Sequence, residues 1–520
     1  MLVNGIELDE PAPPLDDLLA IGLAAAPDAV AVVSAEDEAS WRELDERASA
    51  LAAAYLGLGL EPGDRIASLM PNRIALLIHY LACFRAGLVA TPLNYRYTAR
   101  EIDHALEVSG AAAIVAHDER SGDIAESALA GDIRHGTIWY SAPGGDDRTR
   151  LEELIAGAAP AEPLPTPGED DPAAIFFTSG STGPAKGVTH THGTLRWMIA
   201  SAGAAFGLTA DDVFLPGSSM SHIGSFLWAL TMLGVGGKVV IARTYDSHEI
   251  LPLLREHQPT ILAMIPAALA ALIRDHDLEP SDFASLRICR AGSDKVSTEL
   301  LHEFAAEAGF PIDEGYGMTE VGLATLNPPS GVIKQGSIGP PIAGFSIEIR
   351  DEEGEQCGAE TVGRVWIRTR SRMAGYWEAP EATAEIVRED WLDSGDLARS
   401  DEDGYLWFFG RKKQVIVHDG SNISPLEVEA ALMEHPAVDL AGVIGIHDTV
   451  HGENVRAYVT LRDGAEVPTS AELIVHCRER IGYKAPEEVV VIDEMPLNPT
   501  GKIDRPGLKR MAEDHLHPHA

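Results

Sequence analysis

Residues 178–187 read TSGSTGPAKG, which places four hydroxyl side chains, three glycines and one lysine in ten positions. Almost nothing in this stretch can build a core. Gly180, Gly183 and Gly187 permit backbone conformations closed to other residues and allow N–H groups to approach a ligand. Thr178, Ser179, Ser181 and Thr182 add hydroxyl donors, and Lys186 adds charge. A concave cluster of N–H groups binds anions. The preceding AAIFF is a strand candidate, so the stretch reads as an anion-gripping loop after a strand. By itself it also fits a flexible surface loop. It is not a Walker A loop, which requires G-x-x-x-x-G-K-[ST]. Neither GxGxxG nor GxSxG occurs, so a P-loop motor and a serine hydrolase both lose ground.

Further chemistry-bearing stretches follow in order. Residues 314–320 read EGYGMTE, 393–396 DSGD, 410–413 GRKK, 420–429 GSNISPLEVE and 496–503 PLNPTGKI. With TSGSTGPAKG, in this order and spacing, they resemble the adenylate-forming enzymes: acyl-CoA synthetases, aryl-CoA ligases, luciferase and peptide-synthetase adenylation domains. The resemblance spans roughly residues 40–510. It implies an ATP-dependent acid–thiol ligase. A carboxylate attacks the α-phosphorus of ATP and releases pyrophosphate, and the thiol of coenzyme A then takes the acyl group. In such chemistry, positioning and charge stabilisation carry most of the rate.

The resemblance also implies roles for single residues. Thr178, Ser179, Gly180, Ser181, Thr182, Gly183 and Lys186 would hold the β- and γ-phosphates. Ala185 stands where the family usually has proline. Asp313, Glu314, Gly315, Tyr316, Gly317, Met318 and Thr319 would line the nucleotide, with Tyr316 on adenine and Thr319 on phosphate. Glu320 would hold Mg²⁺, a hard cation that prefers carboxylate oxygen beside substrate phosphates. Gly292 and Ser293 would form a second adenine turn, where Ser293 and Asp294 depart from the usual small apolar residues. Asp396 would accept both ribose hydroxyls, Arg411 would add a ribose and phosphate contact, and Lys502 would reach the α-phosphate and the carboxylate. Catalysis would rest on Lys186, Thr319, Glu320 and Lys502. Lys413 falls at the hinge about which the C-terminal domain turns between half-reactions. His222, Gly420 and Ser421 would line the coenzyme A tunnel, with Asp419 where a small or basic residue is usual.

The acyl pocket expected on this basis comprises His222, Ile223, Phe226, Gly292, Gly315, Gly317, Met318 and Leu323. Amino-acid-activating members place an aspartate near MSHIGSFLWAL, which holds no acid. The apolar, Ala- and Gly-rich stretches MSHIGSF, MIPAALAAL and VGLATL imply a fatty, aryl or bulky alicyclic acid. A carrier protein is the alternative acceptor, and a non-catalytic adenylate-binding protein is the reading from another class. Lys186, Glu320, Asp396 and Lys502 are all present, which weighs against the latter.

The elements that must position these residues alternate. SWRELDERASALAAAYLG has helical spacing, with Ser40 at its entry and Gly57 at its exit. RIASLM reads as a strand, NRIALLIHYLACFRAG as an amphipathic helix ending at Gly87, and VATPL and AAAIVAH as strands. PGSSMSHIGSFLWALTMLGVGGKVVIA repeats the plan as loop, helix, glycine break and strand. Such alternation predicts α/β layers on largely parallel sheets. From about residue 335 to 410, short runs with turn residues every 8–12 positions predict a β subdomain, with a hairpin across DEDG. The expected organisation is an N-terminal adenylation domain at 1–410, a hinge at 411–413 and a small, mobile α+β C-terminal domain at 414–520.

Composition sets outer limits. A chain of 520 residues is long enough for three or four core units. Its net charge of −40 disfavours nucleic acid and anionic lipid as partners. Cys83, Cys289, Cys357 and Cys477 form no CxxC pair, so neither a zinc site nor a disulfide framework is expected. The start lacks a cationic, apolar leader, and no apolar run is long enough to span a membrane. The reading is cytoplasmic, with a homodimer allowed. The tail HLHPHA reads as terminal disorder rather than a metal site.

Overall fold

The computed structural model describes residues 2–142, 148–157, 163–178, 185–292, 296, 298–328, 331–418, 421–448, 451–462, 464–498 and 502–516. Two large sheets hold most of the N-terminal part. One has seven strands in the order Gly375–Tyr376, Lys186–Thr191, Pro172–Thr178, Val89–Pro92, Arg65–Leu69, Ala113–His117 and Thr137–Tyr140. It is parallel except where Lys186–Thr191 turns back between its two neighbours. The other has six strands, running from Ile288–Ala291 through Ile261–Met264, Val213–Gly217, Lys238–Ile241 and Val30–Ser34 to Glu38–Ser40. Only its last pair is antiparallel. The α/β layers expected from the alternation are therefore present.

Local sequence explains the boundaries. Ser40 caps helix Trp41–Gly57 in a reciprocal box with Glu43, which satisfies backbone donors left over at the helix start. Gly87 closes helix Ile74–Ala86 in the left-handed conformation, at φ 67°, where a Cβ would be strained. That helix corrects one expectation. It is buried on every side rather than amphipathic, because it lies between layers, and a helix covered all round has no polar face to show.

The region after residue 335 forms an antiparallel sheet of Phe345–Arg350, Gly363–Thr369, Trp391–Ser400, Val387–Arg388 and Leu406–Arg411. The hairpin across DEDG joins Trp391–Ser400 to Leu406–Arg411. Leu2–Asn4 adds an edge strand to this sheet, a pairing too remote in sequence for local pattern to reveal. After residue 414 a five-stranded sheet carries helices Pro425–Met433 and Ser470–Ile481. Its strands Val438–Asp448 and Gly452–Leu461 form a long antiparallel pair. The last helix, Arg505–Leu516, takes in the first two residues of the HLHPHA tail, and the rest lies outside the described residues. Residues 143–147 also lie outside them. All four cysteines are buried and stand outside any disulfide. No described helix is long and apolar enough to cross a membrane.

Candidate active site

The stretch expected to grip an anion is flanked by paired strands. Pro172–Thr178 and Lys186–Thr191 run antiparallel, with Thr178 opposite Lys186. Ser179, Gly180, Ser181, Thr182 and Gly183 lie outside the described residues. Gly187 serves packing rather than an unusual conformation. A Cβ there would sit 2.9 Å from the Ile175 side chain and 3.3 Å from that of Trp377. The Lys186 ammonium stands 4.8 Å from the centre of the Tyr376 ring, an attractive cation–π placement. The Tyr376 hydroxyl donates to Glu320 Oε1 at 2.9 Å. Tyr376 thus ties the rim of the loop to the carboxylate expected to meet the metal. Its own place is set by pairing with Val188 and by its N–H donating to Thr383 Oγ1 at 2.9 Å.

Glu320 is buried, and burial raises its pKa above the ordinary carboxylate value. A buried carboxylate with a raised pKa gains from a nearby cation. Among the described residues, no group of three or more His, Cys, Asp or Glu could hold a metal. Glu320 fits magnesium as a single carboxylate ligand whose remaining oxygens come from phosphate and water. Thr319 is held from behind, where His190 Nε2 donates to its carbonyl at 2.8 Å. Burial lowers the His190 pKa to about 4, so this imidazole is neutral and its donor nitrogen is fixed.

The EGYG segment forms a two-stranded hairpin, Gly315–Met318 against Gly322–Leu326. The partner strand requires both glycines. A Cβ on Gly315 would lie 2.4 Å from the Thr325 carbonyl oxygen, and one on Gly317 would lie 2.4 Å from that of Gly322. This requirement holds with or without a ligand. Tyr316 packs near-parallel to Phe408, with ring centres 5.8 Å apart, and its hydroxyl donates to Asp396 Oδ2 at 2.6 Å. Asp396 stands opposite Arg411 on adjacent strands. Its carboxyl group is 5% exposed and is held above its ordinary pKa by burial, against the opposing pull of Tyr316, Arg411 and Lys502. Arg411 Nε lies 3.5 Å from Oδ1 without hydrogen-bond alignment, so among the described residues that buried oxygen accepts no hydrogen bond. Buried polar atoms are nearly always satisfied. An acceptor left open beside a platform of two aromatic rings fits a hydroxyl-bearing ligand.

At the other end of the segment, Arg290 is buried and donates to the carbonyls of Asp313 and Gly315 at 2.9 and 3.0 Å. Burial pushes the Asp313 carboxyl up to about 7, and the Arg290 charge pulls the other way. Glu314 presents its carbonyl to the N–H of Asn327 at 2.9 Å. Gly292 follows strand Ile288–Ala291, while Ser293 and Asp294 lie outside the described residues.

His222 sits at the N-cap of helix Ile223–Gly234. The segment leading to it is pinned by Asn72, whose side chain donates to the Ser218 carbonyl at 2.9 Å and accepts from the Met220 N–H at 2.7 Å. Burial, with the Lys502 charge adding to it, lowers the His222 pKa to about 4, so the ring is neutral. Asn94 Nδ2 approaches its Nε2 at 3.4 Å. Ile223, Met318 and Leu323 are half-buried against the core, whereas Gly317 is exposed. Phe226, also expected in the pocket lining, is a core residue. It is 1% exposed, and its ring packs edge-on against Tyr80, Phe84 and Phe176. Phe226 stands four residues on from His222, one helical turn along, and its N–H donates to the His222 carbonyl at 3.0 Å.

The C-terminal part supplies Lys502. Its charge acts on both Asp396 and His222, so it faces the platform and the His222 end together. Its backbone is tied to Asn498, which donates its N–H to the Lys502 carbonyl at 2.7 Å and accepts the Lys502 N–H on Oδ1 at 3.0 Å. Lys413 is exposed in the short turn Lys412–Gln414 between the β subdomain and the C-terminal sheet. Ser421 opens strand Ser421–Ile423, opposite His418, and Gly420 lies outside the described residues.

Sequence reading missed Tyr376, Arg290, His190 and Asn72. Only Tyr376 had a local signal, an exposed-type aromatic after glycine in AGYW. The other three act through contacts between residues far apart in the chain.

Residues 21–377 match the AMP-binding enzyme family, and residues 427–502 match the AMP-binding enzyme C-terminal domain. The chain belongs to the AMP-binding enzyme family. As such it is an AMP-forming acid–thiol ligase of the acyl-CoA synthetase type. It is 33% identical over 489 residues to a feruloyl-CoA synthase from an Amycolatopsis species, covering 93% of this chain and 96% of that protein. It is 31% identical over 519 residues to a long-chain-fatty-acid–CoA ligase of Yersinia pestis, covering 93% and 91%. ATP-bound MatB from Rhodopseudomonas palustris, at 29% identity, superposes with a TM-score of 0.88 over 96% of this chain and 99% of its own. Apo MatB superposes with a TM-score of 0.78 over 97% and 99%.

Proposed function

We propose that this ligase activates an apolar carboxylic acid, fatty, aryl or alicyclic, as its acyl-adenylate and then transfers the acyl group to coenzyme A. The single observation that carries the reading is the pairing of Tyr316 with Asp396 beside an open, buried Oδ1, with Lys502 facing the same carboxylate. In this reading ATP lies with its base on the Tyr316 side and its ribose on Asp396. The phosphates reach toward Thr178, Lys186 and Thr319.

The acid enters on the His222 side. A neutral His222 does not compete for its carboxylate, and Lys502 draws the carboxylate toward the α-phosphorus. One carboxylate oxygen bonds to that phosphorus as the bond to the bridging oxygen of pyrophosphate breaks. Lys502 and Arg411 offset the charge that gathers on the α-phosphate, as fixed cations do where charge develops. Glu320 would hold magnesium, which neutralises phosphate charge when bound. In the second step the coenzyme A thiolate bonds to the acyl carbon, and AMP leaves with the electron pair. Lys413 is the hinge and Gly420 and Ser421 line the thiol path in this reading. The relatives named for feruloyl and long-chain fatty acids support an apolar body on the acid, as do the half-buried Ile223, Met318 and Leu323.

The test is acid-dependent pyrophosphate release with ATP and Mg²⁺ across fatty, aryl and alicyclic acids, with and without coenzyme A, following product mass. An acyl-CoA product is expected for one class. Release that stops at acyl-AMP would move the acceptor to a carrier protein, and silence across the panel would overturn the reading.

A further inference from the structure

Arg290 belongs to no motif, yet it is a buried cation directly beneath the nucleotide platform. Its surroundings explain why an arginine stands there. The chain at 312–313 runs beside strand Ile288–Ala291 as a further parallel edge: Asp313 donates its N–H to the Cys289 carbonyl at 2.8 Å, and Arg290 bridges Asp313. There the chain leaves the sheet to enter the EGYG hairpin, and backbone pairing ends. Beyond that point the Arg290 side chain takes over, donating Nη1–H to the Asp313 carbonyl and Nη2–H to the Gly315 carbonyl. Its Nη1 lies 3.0 Å from where a Gly315 Cβ would be. The guanidinium fork matches two acceptors at fixed spacing, which an ammonium does not.

A buried charge is costly to desolvate, and an apolar residue over a continued ladder would hold the fold without it. The arginine gives the chain a fixed point of departure instead. Carbonyls 313 and 315 go to Arg290, carbonyl 314 goes to the Asn327 N–H, and the Tyr316 N–H goes to Thr325 Oγ1 at 3.2 Å. Tyr316 is therefore fixed at its backbone, while its hydroxyl sets Asp396 at the far end of the ring.

We propose that Arg290 is a positioning residue for the nucleotide: its fork on the Asp313 and Gly315 carbonyls sets the place of Tyr316, and through it the orientation of Asp396. The inference rests on the proposed reading of the Tyr316–Asp396 pair as the base and ribose site. It assigns Arg290 no contact with substrate.

The test uses the full chain and three proteins: wild type, Arg290→Met and Arg290→Lys. ATP affinity is measured by calorimetry without acid, and the KM values for ATP and coenzyme A are measured with a competent acid. Loss of hydrogen bonds from a charged donor corresponds to a change of roughly tenfold or more. Arg290→Met is expected to weaken ATP binding about tenfold and raise the KM for ATP alike, with the KM for coenzyme A unchanged. Arg290→Lys, which keeps the charge but cannot fork, is expected to fall between Met and wild type. A merely structural arginine would lower the melting temperature and leave ATP affinity of the folded protein at the wild-type value, and that result would overturn the proposal. Should the Met variant not fold, wild-type ATP affinity in the Lys variant would overturn it equally. If wild type itself binds no ATP, the base-and-ribose reading fails first, which separates the two failures.

Discussion

The nucleotide platform and the contact between the N- and C-terminal parts are built in opposite ways. The platform is buried and cross-tied: Arg290 holds two carbonyls, Tyr316 holds Asp396, Tyr376 holds Glu320 and His190 holds Thr319. Across the two parts, the described ion pair is Arg462 with Glu299, a bidentate pair with both side chains about one-third exposed. Arg462 is anchored on its own side by the Val438 carbonyl at 3.0 Å, while Glu299 is shared with Arg274 at 3.5 Å. Cross-tied buried networks make a unique arrangement costly to leave, whereas exposed ion pairs contribute little. In the proposed reading, the first region fixes where the nucleotide lies, and the second lets Lys502 arrive and withdraw.

The sharpest way to break this contrast is Lys502→Ala. If the C-terminal part brings only catalysis, adenylation should fall by roughly 10²–10³-fold, the scale of a lost transition-state charge contact, with ATP affinity held. Single-turnover formation of acyl-AMP reads it. Asp396→Asn should act on the platform alone, weakening ATP binding by about ten- to a hundredfold, as expected for a buried charged acceptor of hydroxyls. Tyr376→Phe keeps the ring under Lys186 and removes the bond to Glu320. A loss of about tenfold in kcat is expected, the size of one hydrogen bond to a charged group, and unchanged kcat would detach Tyr376 from the site.

Asp313 tests the platform by pH. Its carboxyl titrates near 7 in the folded chain against an ordinary 3.8. The native state thus holds a proton that the unfolded state has lost, so this group's contribution to stability falls as pH rises from about 4 to about 7. The melting-temperature difference between wild type and Asp313→Asn should favour wild type most near pH 4 and shrink steadily toward pH 8. A constant difference would mean that Asp313 ionises normally. The smallest effect is expected at the boundary. Glu299→Gln should leave stability within about 1 kcal/mol, yet shift the ratio of thioester formation to adenylation by up to about fivefold toward the thioester step. High salt should mimic it in wild type.

Much of this was legible in the sequence because the signals are local. Caps at Ser40 and Gly87 and the DEDG hairpin follow from short-range pattern. The resemblance carried by the motifs assigns Tyr316, Glu320, Asp396, Arg411 and Lys502 to one expected site. What stayed hidden depends on tertiary pairing. The edge strand Leu2–Asn4 joins a sheet more than 340 residues away, at Ser346–Glu348. Helix Ile74–Ala86 reads as amphipathic only until both its faces are covered. Phe226 reads as a neighbour of His222, and only tertiary packing against Tyr80, Phe84 and Phe176 shows that its ring is buried in the core. Arg290 and His190 serve carbonyls 23 to 129 positions away, and no spacing rule reaches that far.

The central claim is that binding and chemistry come from different parts of the chain. The direct test measures ATP affinity and single-turnover acyl-AMP formation at saturating ATP, side by side in Asp396→Asn and Lys502→Ala. The account predicts a crossed result: weak binding with near-normal chemistry in the first, and near-normal binding with lost chemistry in the second. Parallel losses of both quantities in both variants would contradict it.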